Sequence, residues 1–279
     1  MEKILLAMDS RNVDQNAVSL ACYISRLTHS KLTGVFLDQF LVEEEIVISQ
    51  LEGEPVIGSI TFSETSENDD EVTIKEEYIN LFKGITERKG VQAFVYIIKG
   101  TGANEIISES RFTDVLIVDA ATSVSMFQEG TPSSFVKQIL QGAECPVIIS
   151  PEHFNGIDNI VFCYDGSKSS VFAIKQFTYL FPELKNRRAK VIYLNSEDEF
   201  LEEDQQALTD WLKYHYSDVE FILMQGNATE AFFNYLLKKK NDFVVMGAYG
   251  RGLLASFFSD GVNSNEARTT SLPIFVAHY

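Results

Sequence analysis

Two aspartates stand where chemistry is easiest to place. Asp9 ends the apolar run Lys3-Ile-Leu-Leu-Ala-Met-Asp9, and Asp165 ends Asn159-Ile-Val-Phe-Cys-Tyr-Asp165. Each is followed by polar turn residues, Ser10-Arg-Asn-Val and Gly166-Ser-Lys-Ser. A carboxylate there either accepts hydrogen bonds from a ligand or caps the turn and helix that follow. A second pair, Gly247 and Gly250, follows the run Asn241-Asp-Phe-Val-Val-Met. Glycines so placed either bring backbone N–H groups close to a phosphate or supply turn dihedrals.

Other site chemistries are poorly supported. No Gly-Lys dipeptide exists, which excludes a P-loop, and there is no Gly-x-Ser-x-Gly elbow. Gly250-Arg-Gly-Leu-Leu-Ala255 has dinucleotide-like spacing, but it follows a late apolar run and lacks an acidic ribose partner at the right distance. His29, His153, His215 and His278 are dispersed without ligand spacing, so neither a catalytic residue nor a metal site is assigned. Cys22, Cys145 and Cys163 are far apart and odd in number, which fits a reduced, cytoplasmic setting.

The elements that would carry these residues repeat once, with a period of about 156 residues. Each first strand leads into a helical stripe: Ala17, Leu20, Ala21, Ile24 and Leu27, answered by Ala173, Ile174, Phe177 and Leu180. Second strands follow at Leu32–Leu37 and Ala189–Leu194. Third strands at Val91–Ile98 and Phe221–Gln225 lead through Gly100 and Gly226 to helices around Asn104–Arg111 and Thr229–Lys238. Fourth strands, Thr113-Asp-Val-Leu-Ile-Val-Asp119 and Asn241–Gly247, precede closing runs that start at Pro146 and Pro273. Alternating strands and helices, with runs as apolar as Val115–Val118, predict parallel sheets covered on both faces. The reading is an α/β chain with two tandem doubly wound five-stranded domains, residues 1–150 and 159–279, joined by a linker at 151–158.

The copies differ in the middle. Gln39–Val72 holds ten Asp or Glu and no Lys or Arg, ahead of a helix predicted over Thr73–Arg88 from a capping box at Thr73-Ile-Lys-Glu76. This acidic insert, with apolar residues at Ile46, Val47, Ile48, Val56, Ile57 and Phe62, reads as solvated surface or as a docking loop for an unknown protein partner. Copy two has only Ser196–Asp204 there, before a helix containing Trp211 and Leu212. The formal charge of −17 leaves no basic footprint for nucleic acid, and an anionic membrane is a poor partner. No apolar run approaches the 18 or so residues of a membrane span, and the N-terminus turns acidic too soon for a signal peptide.

This pattern resembles the universal stress protein family in tandem form, through the Ile-Leu-Leu-Ala-Met-Asp opening, its Asn159–Ser167 repeat, Met246-Gly-Ala-Tyr-Gly-Arg-Gly252 and the closing Leu272-Pro-Ile-Phe-Val. The resemblance implies a Rossmann-like, adenine nucleotide alpha hydrolase-like fold, with members that bind ATP and members that do not. Binders are implied to carry Gly-x2-Gly-x9-Gly-Ser/Thr after the fourth strand and an Asp ending the first. By that resemblance, Asp165 and Val191 would hold a nucleoside, and Gly247, Gly250 and Gly261 a phosphate. Asp260 stands at the third glycine place, with Gly261 at the hydroxyl place; alternatively the loop is one residue longer and Val262 replaces the hydroxyl. A carboxylate in a phosphate nest repels the ligand, so AMP is favoured over ATP as the cofactor of copy two. In copy one, Asp119 and Thr122 take the first two glycine places and Pro132, Ser133 and Ser134 the later ones, which reads as a non-binder. The expectation is a stress-linked binding or regulatory module, not an enzyme, with an alternative in which copy two alone binds adenine nucleotide and a slow ATPase ranks third. The resemblance also implies pairing of the last strands, Val147–Ser150 with Ile274–His278, as an intramolecular pseudo-dimer, and leaves room for a homodimer.

Overall fold

The computed structural model describes residues 1–38, 48–51, 54–57, 69–99, 102–123, 129–193, 202–224, 228–248 and 271–278. The first half runs β1 (Lys3–Asp9), α1 (Gln15–Thr28), β2 (Lys31–Asp38), a two-stranded hairpin β3 (Ile48–Leu51) and β4 (Glu54–Ile57), α2 (Asp69–Arg88), β5 (Ala93–Lys99), α3 (Ala103–Ser110), β6 (Val115–Asp119), α4 (Ser134–Gly142) and β7 (Val147–Ser150). The second runs β8 (Asn159–Tyr164), α5 (Lys168–Leu180), a 3-10 turn at Pro182–Asn186, β9 (Arg188–Tyr193), α6 (Glu202–Lys213), β10 (Val219–Leu223), α7 (Ala228–Leu236), β11 (Asp242–Gly247) and β12 (Ile274–Ala277).

The strands form one ten-stranded sheet in the order β10-β9-β8-β11-β12-β7-β6-β1-β2-β5. All neighbours are parallel except β7 and β12, which pair antiparallel with Phe275 opposite Ile148. The two last strands therefore join the halves within one chain, and two edges that would otherwise lie open are closed against each other. Within each half the order reverses beside the first strand, between β1 and β6 and between β8 and β11. That reversal opens a crevice at the carboxyl ends of the strands, where such sheets place ligands.

Strand alternation builds two cores. Ile4, Leu6 and Met8 of β1 belong to the core that also holds residues of α1, α2, α5 and α6, while Leu5 and Ala7 belong to the one that holds residues of α3, α4 and α7. Each core runs through both halves, and Phe177 of α5 meets Phe243 and Phe275 edge-on at 5.1 and 5.2 Å. The linker joins the first core: Ile157 is buried and Phe154 packs on Tyr23 at 5.3 Å.

The α2 start differs from expectation. The helix is already formed at Asp69, so Thr73 lies inside it and the capping-box residues do not begin it. Of the acidic insert, the hairpin β3–β4 is described and residues 69–72 open α2; residues 39–47, 52–53 and 58–68 lie outside the described residues.

Close packing shows at Gly34 of β2, where a Cβ would lie 2.7 Å from Cζ of Phe82 and 3.0 Å from Cε of Met8. Gly34→Ala is expected to cost about 1–3 kcal/mol by overpacking around that ring, read as a lower urea midpoint with unchanged slope.

Candidate functional site

The two crevices are built on the same scaffold and differ in chemistry. In the first half, Asp9 ends β1 and Asp119 ends the neighbouring β6. Asp9 Oδ1 accepts from the Arg11 backbone N–H at 2.9 Å and from Arg11 Nε at 3.3 Å. The guanidinium two residues downstream therefore already holds this carboxylate. Asp14 caps α1, its Oδ1 accepting from Ala17 N at 2.6 Å. Asp119 Oδ1 accepts from Ala121 N at 2.9 Å. Burial, and after it the negative charge of Asp14, push the Asp119 carboxyl above its ordinary range, against the backbone hydrogen bonds that lower it.

The loop after β6 supplies its own anion. Glu129 accepts from Ser134 Oγ at 2.5 Å, from Ser134 N at 3.2 Å and from Ser123 Oγ at 2.8 Å. These bonds, led by the Ser134 hydroxyl, hold its carboxyl below the usual range. Ser133 caps α4, accepting from Val136 N at 3.1 Å while donating to the Thr122 carbonyl. The serine donors that could face a phosphate are thus committed to Glu129 and to the cap. An anion in this crevice would meet Asp9, Asp14, Asp119 and Glu129, so these residues do not fit a nucleotide triphosphate.

One consequence concerns pH. A carboxyl whose folded pKa is raised is more protonated when folded than when unfolded. Its ionisation then weakens the fold as pH rises from its ordinary value through the raised one. Asp119→Asn keeps an acceptor for Ala121 N and removes that charge. It is expected to raise stability at pH 7, with the gain vanishing below about pH 3.8. Urea midpoints at pH 7 and pH 3.5 check this.

In the second half, Asp165 is buried at the end of β8 and its Oδ1 accepts from Ser167 N at 2.9 Å. Gly166 takes a φ of +78°, which a side chain would resist, so the turn fits in three residues. Ser167 then caps α5, accepting from Ser170 N at 3.1 Å. The place of Arg11 is taken by Ser167, so no cation sits two residues after this aspartate. Gly247 ends β11 without a left-handed φ. A Cβ there would lie 2.6 Å from the Ser169 carbonyl carbon and 2.7 Å from its oxygen. Its glycine identity therefore follows from the close approach of β11 to the first turn of α5, and not from turn dihedrals.

The sequence-predicted residues divide accordingly. Asp165 and Gly247 lie at the ends of neighbouring strands, each beside the start of α5. Val191 does not join them: it is fully buried in mid-β9, between Phe162 of β8 and Phe221 of β10. The end of β9 instead presents Tyr193, whose ring packs against Tyr164 at 5.8 Å. Gly250, Asp260, Gly261 and Val262 lie outside the described residues. Sequence reasoning missed Arg11, Asp14, Glu129 and the tyrosine pair. The Asp-x-Arg spacing at Asp9 and the Glu129–Ser134 separation were the available signals, and neither is specific.

Among the described residues no group of three or more His, Cys, Asp or Glu is arranged to hold a metal, and no helix is long and apolar enough to cross a membrane. The three thiols are buried, and desolvation raises Cys22 to about 11, Cys145 to about 12 and Cys163 well above the ordinary thiol value, so none is a ready nucleophile.

No family model matches the chain. A universal stress protein from Synechocystis sp. is 24% identical over 167 residues, covering 58% of this chain; the match spans little more than half, 56%, of that relative's length. A universal stress protein from Archaeoglobus fulgidus superposes with a TM-score of 0.69 at 14% identity, covering 98% of both chains. A functionally unknown protein from Pseudomonas aeruginosa gives a TM-score of 0.57 at 12% identity, covering 99% of this chain and 92% of that one. The solved structures share the α/β fold with its large, mostly parallel sheet. In sequence through the Synechocystis relative, and in fold through the solved structures, this chain resembles the universal stress protein family in its tandem, two-domain form.

Proposed function

We propose that the chain is a cytoplasmic tandem module of the universal stress type that acts by binding and regulation, without turning over ATP or holding it as a resident cofactor. The observation that carries this reading is the first crevice. Its strand ends and loop are lined by Asp9, Asp14, Asp119 and Glu129, and its serine donors are already engaged. The scaffold persists where the phosphate-binding chemistry does not, and fold alone does not confer the function. The acidic insert is the segment through which an unknown protein partner would be found. The test is calorimetric titration of nucleotide-stripped protein with ATP and AMP, with and without magnesium. Absence of heat supports the reading, and one tight ATP site per chain overturns it.

A second reading has its own support. Asp165 lacks the guanidinium that occupies Asp9, and Gly247 leaves the end of β11 uncharged. The second half would then take AMP more readily than ATP, through Asp165, Gly247, Gly250 and Gly261, because Asp260 opposes added phosphate charge. Asp260→Gly is expected to strengthen ATP binding at least tenfold on this reading. Unchanged ATP affinity would remove the electrostatic argument.

A further inference from the structure

The strand at one end of the sheet is unlike its counterpart at the other. β5 is Ala93-Phe-Val-Tyr-Ile-Ile-Lys99, with no charge in its first six residues, and it pairs with β2 along one side only among the described residues. Phe94 and Tyr96 are 52% and 54% exposed, and Ile97, on the opposite face, is 44% exposed. Open edges of folded proteins are usually blunted by charge, proline or a bulge. β10, the other end of the sheet, carries an exposed carboxylate, Glu220, in mid-strand. β5 has no such guard.

We propose that β5 is a self-association edge, pairing antiparallel with the β5 of a second copy across a twofold axis at Tyr96. Three observations select a second copy as the occupant. The halves of this chain already join by antiparallel pairing of neighbouring sheet edges, β7 on β12, so continuing the sheet this way adds no new kind of contact. The chain carries a net −17, and β5 itself has no carboxylate, so pairing it with its own copy sets no like charges opposite each other along the strand. The strand is also self-complementary about its centre. With Tyr96 opposite Tyr96, Val95 faces Ile97 and Phe94 faces Ile98, which are the aromatic and β-branched cross-strand pairs that stabilise sheets. Covering the exposed halves of four aromatic rings removes roughly 400 Å² of aromatic surface from water, in addition to the paired backbone. That places the contact at the small, reversible end of protein interfaces, with a dissociation constant of order micromolar.

Sedimentation velocity across about 1–200 µM tests this on the full chain, at concentrations bracketing that estimate. The expected result is a concentration-dependent shift to twice the monomer mass, with Tyr96→Lys weakening association at least tenfold and the control Tyr214→Lys, at a more exposed tyrosine away from β5, leaving it unchanged. Tyr96→Cys tests the register. All three native thiols are buried, and residues facing each other across the axis have Cβ atoms about 4.5–5.5 Å apart, so mild oxidation should link two chains at position 96 and not in Tyr214→Cys. Circular dichroism of each variant separates loss of association from loss of fold. A chain that stays monomeric throughout overturns the proposal. So does a dimer that survives Tyr96→Lys, or one that fails to cross-link at 96.

Discussion

Gly247→Ala is expected to lower stability by about 3 kcal/mol or more, one of the largest effects of any small substitution in this chain. The new methyl carbon would stand 2.6 and 2.7 Å from the carbonyl carbon and oxygen of Ser169. These are backbone atoms of the first turn of α5, and they cannot swing aside as a side chain does. Relief requires α5 to lift from the sheet, and α5 carries Phe177, whose ring contacts Phe162, Phe243 and Phe275. The strain therefore spreads into an aromatic cluster packed at interior density. Gly34→Ala is the gentler comparison, because its neighbours, Phe82 and Met8, are side chains that can adjust. Urea unfolding of the two variants beside the parent measures the difference. A Gly247→Ala protein within 0.5 kcal/mol of the parent, the usual range of neutral surface changes, would show that the approach of β11 to α5 is not the constraint on this position.

The second large effect is expected at the opposite end of the same strand. Asp242 and Lys190 are both buried, with Nζ 3.6 Å from Oδ2, and Asn159 Nδ2 donates to Asp242 Oδ1 at 2.6 Å. Oδ2 has no hydrogen bond of its own, so the lysine charge is its compensation. The first half handles the equivalent aspartate differently: Asp114 Oδ2 accepts from the backbone N–H groups of Glu2 and Lys3 at 2.7 and 2.8 Å. Removing one partner of a buried pair leaves an uncompensated charge, so Asp242→Ala is expected to cost about 3–5 kcal/mol. Lys190→Met should cost a comparable amount by stranding the carboxylate. The double variant Lys190→Met/Asp242→Leu should recover much of the loss, because an apolar pair needs no compensation. Additive losses in that cycle would mean that the two residues act independently.

Much of this architecture was legible because it depends on periodicity. Runs such as Val115–Val118 read as doubly covered strands, and Asp9 and Asp165 marked where two first strands end, which placed the repeat. The doubly wound order followed from alternation of strands and helices. Less legible was whatever depends on which atom meets which. Val191 was a nucleoside contact by resemblance, but the strand continues to Tyr193 and buries it. The capping box at Thr73 read as the start of α2, but the backbone is already helical from Asp69, so the pattern lies inside the helix. Gly247 read as a turn or phosphate glycine, and its constraint is a contact with a helix far away in sequence. Glu129 was missed for a similar reason: a Glu five residues before a Ser is too common a spacing to mark a carboxylate acting as the anion of its own loop.

The acidic first crevice, beside a second whose Asp165 has no cation two residues on, makes nucleotide affinity the most direct test of the proposed function. The measurement is isothermal titration of the nucleotide-stripped chain with ATP, in the presence and absence of magnesium. No heat, together with an unchanged melting temperature, is the expected result. A stoichiometric ATP complex of micromolar affinity or tighter, about −8 kcal/mol of binding free energy, would contradict it.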